Sequence, residues 1–146
     1  MKIRESFVTN SSSSSYIIAK KKTASEEEIK TAIENKYYKN KEEYLNLLGN
    51  IIEEYNVDLS DYEGTDYYGE APLVKAYIKE ENVDEEFIKY LTKRTLEIFD
   101  DNWNGSGELD SWEVTIFEAS NENDDMFEWL LYDDVSIIKN ELIKVI

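Results

Sequence analysis

The sequence contains no cysteine and no histidine among its 146 residues. These absences exclude disulfides, zinc sites built from the two residue types, thiol nucleophiles and histidine general bases. One proline and five glycines exclude the collagenous and proline-rich disordered classes. No apolar run has the length of a signal-peptide core or of a membrane-spanning helix, which needs roughly 18 residues. We therefore expect a cytoplasmic protein that does not contact a membrane.

The hydrophobic content predicts a folded chain. Hydrophobic residues make up 41 % of the sequence and aromatic residues 13 %, whereas disordered segments are poor in aromatic side chains. The length is typical of one domain. The pattern of predicted elements favours an α+β fold, in which a small antiparallel sheet packs against several helices in a single domain spanning residues 1–146.

Two short β-type segments open the chain. Ile3–Thr9 and Ser14–Lys20 are rich in β-formers and predict strands that a polar serine run connects, so that residues 1–20 form a hairpin-like element. Alternating side chains predict two further strands, over Leu73–Lys79 and Trp112–Phe117.

Helices are predicted from capping residues and from the 3.6-residue period. Ser25 and Glu28 form a capping-box sequence, and Asp84 is the predicted N-cap of another helix. The predicted helices are Glu26–Lys36, Lys41–Tyr55, Asp84–Phe99, Asp124–Tyr132 and Val135–Ile146. Residues 56–72 have the composition of an acidic, tyrosine-rich loop.

Negative charge dominates the sequence and is segregated along it. There are 33 acidic and 16 basic residues, for a net charge of −17. Residues 42–74 and 95–138 contain 22 of the acidic residues and no lysine or arginine. A direct nucleic-acid contact needs clustered basic side chains, so this charge argues against one. It favours either an anionic surface for a basic partner or an acidic surface that serves solubility alone.

The acidic loop combines carboxylates with tyrosines. Carboxylates can imitate phosphates, while tyrosines supply contact area and can stack on arginine. The alternative is that some of these tyrosines pack into the core with their hydroxyls at the surface. The predicted partner-binding residues are Asp58, Asp61, Tyr62, Glu63, Asp66, Tyr67, Tyr68, Glu70, Asp100, Asp101, Asp124, Asp125, Asp133 and Asp134.

One segment resembles the calcium-binding loop of EF-hands. Its oxygen ligands would be Asn102, Asn104, Ser106, Asp110 and Glu113. Asn102 replaces the usual first aspartate, and the residues after Glu113 predict a strand instead of the exiting helix. We therefore favour a glycine-containing turn that leads into a strand, and expect no metal or cofactor, with a Ca²⁺-binding module as the alternative.

The N-terminal segment has a distinctive string, which consists of Arg4-Glu5-Ser6-Phe7-Val8-Thr9-Asn10, the serine run Ser11–Ser15 and Tyr16. This string resembles the pattern R-x-x-F-V-T-N-S-S-S-S-S followed by an aromatic residue, which opens small uncharacterised proteins of low-GC bacteria and their phages. The resemblance covers about the first 18 residues. It implies a bacterial or mobile-element origin, and the string carries no established activity.

No phosphate-binding, dinucleotide-binding or nucleophile-elbow motif is present, and we expect no enzymatic activity. The sequence favours an acidic binding protein that docks on a basic, nucleic-acid-handling protein, as a phage-type inhibitor acting by nucleic-acid mimicry would do. The alternative is a structural or accessory protein that associates with itself through tyrosine and tryptophan patches.

Overall fold

The fold is described by a computed structural model that covers residues 13–57, 59–62, 69–100, 107–120 and 125–146. These ranges contain five α-helices and four strands. In chain order they are β1 (Ser13–Lys21), α1 (Glu26–Lys39), α2 (Lys41–Glu54), α3 (Ala71–Lys79), α4 (Val83–Asp100), β2 (Gly107–Leu109), β3 (Trp112–Ser120), α5 (Met126–Asp133) and β4 (Ile143–Val145). Short 3₁₀ turns span Leu59–Tyr62 and Val135–Ile138.

The strands form one antiparallel sheet in the order β2-β3-β1-β4. The central pair, β1 and β3, is in register along nine residues, with Ile17 opposite Ile116. Side chains alternate between two faces. Ile18 and Thr115 point to the buried inner face, and Ile17 and Ile116 to the outer face. The expected α+β fold with a small antiparallel sheet is confirmed.

The helices cover the inner face of the sheet. Phe127 of α5 packs edge-on against Phe117 of β3 and Tyr90 of α4. Phe87 and Tyr37 join α4 to α1 in the same way, with their ring centroids 5.5 Å apart. Each fully buried side chain of this size contributes about 1.5–3 kcal/mol through removal of apolar surface from water. This core fixes α4 as the central helix of the fold.

Local sequence signals account for the helix boundaries at α1. The Glu28 amide donates to Ser25 Oγ at 3.2 Å, and the Ser25 amide donates to Glu28 Oε1 at 2.9 Å. The predicted capping box is therefore confirmed. Asn40 alone separates α1 from α2, and its Nδ2 donates to the Lys36 carbonyl at 3.1 Å.

Two predicted elements and one predicted cap are wrong. Leu73–Lys79 lies in helix α3, which begins at Ala71 with Pro72 in its first turn, so the acidic loop ends at Glu70 and not at residue 72. The C-terminal segment forms a 3₁₀ turn and strand β4 instead of a helix. Helix α4 begins at Val83, so Asp84 lies inside its first turn and does not cap it.

The predicted hairpin-like element over residues 1–20 is described only in part. Its second strand is confirmed, because Ser14–Lys20 lies within β1. Residues 1–12, which include the other predicted strand and most of the resembling segment, lie outside the described residues. In the described ranges, no helix has the length and apolar character needed to cross a membrane.

Candidate functional site

The predicted partner-binding residues divide into those that the structure describes and those that it does not. Asp58, Glu63, Asp66, Tyr67, Tyr68, Asp101 and Asp124 lie outside the described residues. Asp61 and Tyr62 belong to the 3₁₀ turn Leu59–Tyr62, and only their backbone is described. Glu70, Asp100, Asp125, Asp133 and Asp134 are described in full.

Glu70 faces the interior. Only 1 % of its surface is exposed. Its Oε1 accepts hydrogen bonds from the Tyr90 hydroxyl at 3.0 Å and from the Met126 amide at 2.6 Å. A buried carboxylate needs such donors to offset the cost of desolvation. The prediction that Glu70 lies on a partner-binding surface is therefore wrong, because its carboxylate is buried and joins α4 to the start of α5.

Asp125 is also an interior residue, with 2 % of its surface exposed. Its Oδ1 accepts from the Phe127 amide at 3.0 Å and caps α5, while Oδ2 pairs with Arg94 of α4. Arg94 reaches Glu97 at 2.8 Å and lies over the Phe127 ring at 5.3 Å. The predicted surface role of Asp125 is likewise corrected, because an ion pair and a helix cap occupy its carboxylate.

The charges of this cluster act on one another. Burial lowers the pKa of Arg94, but the Asp125 carboxylate and Glu97 outweigh that effect, and the net shift is upward. Burial, together with Glu70 and Asp125, raises the pKa of Tyr90 well above its ordinary value. Tyr90 therefore stays a neutral hydrogen-bond donor to Glu70. We call Glu70, Tyr90, Arg94 and Asp125 the buried polar cluster.

The buried polar cluster joins two acidic parts of the chain. Glu70 ends the acidic loop that starts after α2, and Asp125 directly follows residues 121–124, which include two acidic side chains. The Met126 amide and Glu70 Oε1 are in direct contact, so Glu70 and Asp125, at or next to the residues where the described chain resumes, lie close together beside α4. Asp125 is an N-cap residue type, a signal that could have found the α5 boundary, but no sequence pattern indicates the contact with Glu70.

The remaining described residues of the predicted set have separate surroundings. Asp100 is exposed at the end of α4. Asp134 accepts from the amide and the hydroxyl of Ser136, at 3.0 and 2.6 Å, and caps the second 3₁₀ turn. Asp133 is half-buried at the end of α5. Of these three, Asp100 is the residue whose surroundings match the predicted surface role most closely.

The calcium-loop prediction is described only at its end. Asn102, Asn104 and Ser106 lie outside the described residues. Asp110, with a φ of 55°, lies in the two-residue turn between β2 and β3. Glu113 lies on β3, 3.4 Å from Lys20 Nζ. The turn that leads into β3 consists of Asp110 and Ser111, whereas Gly107 lies in strand β2, so the predicted glycine-containing turn is wrong at Gly107. The described residues contain no group of acidic side chains that could hold a metal ion.

A groove that the sequence did not indicate opens between two helix corners. Its volume is about 810 Å³. One wall is the α1–α2 corner, and the other is the α3–α4 corner. We call it the corner groove, and its lining residues are Tyr38, Lys41, Leu45, Tyr77, Ile78, Glu80, Asn82, Val83, Asp84 and Glu85. The Tyr77 hydroxyl lies against Gly49 of α2, where a larger residue would collide with it.

Asp84 ties the two walls of the corner groove together. It accepts from the Tyr37 hydroxyl at 2.6 Å and pairs with Lys41 Nζ at 2.8 Å. Burial alone would raise the pKa of Asp84, but the hydrogen bonds from Lys41 and Tyr37 hold it below its ordinary value. The hydrogen bond to Asp84 also raises the pKa of Lys41. Both groups therefore remain charged at neutral pH, and the walls are fixed without a ligand.

Comparisons of the chain with family models, with curated proteins and with solved structures each gave no match.

Proposed function

We propose that this protein is an acidic binding protein that docks on a basic, nucleic-acid-handling protein in the cytoplasm and competes with its nucleic acid, in the manner of a phage-type inhibitor. The observation that supports this most directly is the contact between Glu70 and the Met126 amide. It joins the residue that ends one acidic segment to the start of α5, which directly follows another acidic segment, and we propose that the carboxylates of both segments act on one partner surface.

The mechanism is electrostatic and competitive. Residues 42–74 and 95–138 carry 22 carboxylates without any lysine or arginine. Such a concentration destabilises the fold through self-repulsion, and a basic partner would relieve that repulsion on binding. Carboxylates at Asp58, Asp61, Glu63 and Asp66 would occupy sites built for phosphates, while the net charge accelerates the encounter. No catalytic step is part of this function.

Salt-dependent capture tests the proposal. The chain is immobilised, exposed to lysate of its source organism at low salt, and eluted in salt steps. We expect a basic nucleic-acid-binding protein to elute above about 0.3 M salt, because the Debye length falls below its value of about 8 Å at 0.15 M. A matched variant with Asp61→Asn and Asp66→Asn should retain less of that protein. A bound protein that is indifferent to salt would contradict the mechanism.

A second function, self-association, is favoured by the outer face of the sheet. Ile17 and Ile116 lie opposite each other there with 44 % and 41 % of their surfaces exposed. Lys21 and Lys144 flank Trp112 at one end of this face, 5.2 and 4.1 Å from its ring centroid. Glu118 lies at the other end. A two-fold pairing of two copies would therefore match lysines with glutamates around an apolar centre.

Sedimentation analysis over a range of concentrations tests this second function. A dimer that Ile116→Lys dissociates, with an unchanged circular dichroism spectrum, would support it. A chain that remains monomeric at every concentration would contradict it. Lys75→Ala, an exposed change on α3, is the control for a general effect of altered surface charge.

A further inference from the structure

The corner groove presents apolar side chains from both of its walls. Tyr38 on α1 has 53 % of its surface exposed, and Ile78 on α3 has 46 %. Both line the same groove together with Leu45 and Tyr77. Large exposed apolar groups that face each other across a concave surface are typical of binding sites. The exposure of Tyr38 and Ile78 therefore favours a ligand that has apolar surface of its own.

The charges of the corner groove select the sign of that occupant. The Lys41 ammonium is paired with Asp84 at 2.8 Å. Glu80 and Glu85 are exposed at the rim and form no ion pair with a described residue. The lining therefore has three carboxylates against one ammonium. An anionic ligand is disfavoured, and basic residues flanking an apolar segment are favoured.

The shape of the corner groove is set before binding. Asp84 is held from the α1–α2 corner by both Tyr37 and Lys41. Glu80 and Asn82 hold the α3–α4 turn in the left-handed region, with φ values of 56° and 57°. Residues other than glycine adopt that region at a cost and often do so at functional sites. A preformed groove lowers the entropic cost of binding.

We propose that the corner groove binds a basic amphipathic helix of the partner protein, with the apolar side of that helix between Tyr38 and Ile78 and its lysines or arginines beside Glu80 and Glu85. This inference rests on the proposed function, because it names a second contact with the same basic partner. Helix-in-groove recognition uses such a combination of apolar anchors and flanking charges. The corner groove therefore contributes apolar contacts with the partner, whereas the acidic loops contribute electrostatic ones.

A labelled peptide of leucine and lysine in helical amphipathic order is the probe, and a peptide of the same composition in scrambled order is its control. Fluorescence anisotropy measures binding to the full chain. We expect the amphipathic peptide to bind more tightly than the scrambled one. Ile78→Ser should weaken binding about tenfold, because its apolar contact is lost. Equal affinity for both peptides would overturn the inference.

The matched control is Leu109→Ser, because Leu109 is also a large exposed apolar residue but lies on β2 and does not line the corner groove. It should leave peptide affinity unchanged. Glu85→Gln should make the affinity less sensitive to salt, and an unchanged circular dichroism spectrum will show that each variant folds. Equal losses in Ile78→Ser and Leu109→Ser would overturn the inference.

The two proposals fail in different ways. The Asp61→Asn and Asp66→Asn variant should bind the amphipathic peptide as the original chain does, while it captures less of the partner. If Ile78→Ser leaves both peptide and partner binding intact but the loop variant loses the partner, the corner groove inference is wrong and the proposed function stands. If no basic partner is captured but the peptide requires Ile78, the proposed function fails and the groove remains a site for basic helices.

Discussion

The ion pair between Arg94 and Asp125 should be a major contributor to stability. Asp125→Asn removes the charge but keeps an oxygen that can accept from the Phe127 amide, so the cap of α5 is retained. Arg94 then stays largely buried without its main partner. Breaking a buried pair in this way costs about 3–5 kcal/mol. Glu97 remains 2.8 Å from Arg94, so we expect the lower end, about 3 kcal/mol.

A double-mutant cycle measures this contribution by urea unfolding, followed by circular dichroism. Arg94→Met removes the charge on the other side, and Arg94→Met with Asp125→Asn removes both. Since the double variant has no orphaned arginine, its loss of stability should be smaller than the sum of the two single losses, by about 2 kcal/mol. For a domain whose free energy of unfolding is about 5–15 kcal/mol, the single loss is large enough to measure.

An exposed pair provides the matched control. Lys89 and Glu86 on α4 are 3.6 Å apart, and the lysine is largely exposed, so Lys89→Met should change stability by less than about 0.5 kcal/mol. If Asp125→Asn costs as little as that, Arg94 and Asp125 behave as a solvated surface pair. The description of the buried polar cluster as the anchor of two acidic segments would then be refuted.

Three further changes test other parts of the fold. In Gly49→Ala the new Cβ would overlap the Tyr77 hydroxyl, so the Tyr77 ring should move out of the corner groove. This displacement should cancel the gain in stability of about 0.5–1 kcal/mol expected from alanine in a helix. A thermal melt showing that full gain, with unchanged peptide affinity, would contradict this prediction. Ser25→Ala should cost about 1 kcal/mol through loss of the α1 capping box, and an unchanged melting temperature would show that the cap does not contribute. Burial, with Asp134 and Glu43 nearby, raises the pKa of Tyr44 from 10.0 to about 12. The stability linked to this residue is therefore complete below pH 10 and is lost as pH rises towards 12. Ultraviolet absorbance should show this tyrosine ionising with unfolding, whereas ionisation near pH 10 in the folded chain would contradict its burial.

Elements with strong local signals were predictable from the sequence. The capping box at Ser25 fixes the start of α1. The apolar positions of α2 follow the helical period, and Tyr44, Leu48, Ile51 and Ile52 are indeed buried. Alternation placed β3 correctly from its start at Trp112. In each case, one local rule and the tertiary packing favour the same structure.

Elements with mixed local signals were not predictable from the sequence. In α3, the alternation of Val74, Ala76 and Ile78 imitates a strand, but Leu73 is buried as well and Ile78 is exposed. Pro72 in the first turn is a helix-start signal that this alternation obscured. At the C-terminus, the closely spaced apolar residues suit a helix, whereas hydrogen bonds from the amides of Leu142 and Ile143 to Asn140 Oδ1 stabilise a turn before β4.

The candidate sites depend on contacts between distant parts of the chain. Composition places Glu70 and Asp125 in acidic segments, yet each meets a donor far away in sequence and becomes buried. The corner groove arises where residues of four helices meet, and no local pattern marks Tyr38 or Ile78 as exposed. Charge segregation could be derived from the sequence. The contact between the two walls of the corner groove, and the contact between Glu70 and the start of α5, can be known only from the fold.

Competition for the captured partner is the most direct test of nucleic-acid mimicry. The apparent Kd of that partner for its nucleic acid is measured with increasing amounts of this chain. The account predicts that the apparent Kd rises in proportion to the concentration of the chain, and rises less with the Asp61→Asn and Asp66→Asn variant. A ternary complex, in which the partner holds the chain and the nucleic acid together at an unchanged Kd, would contradict it.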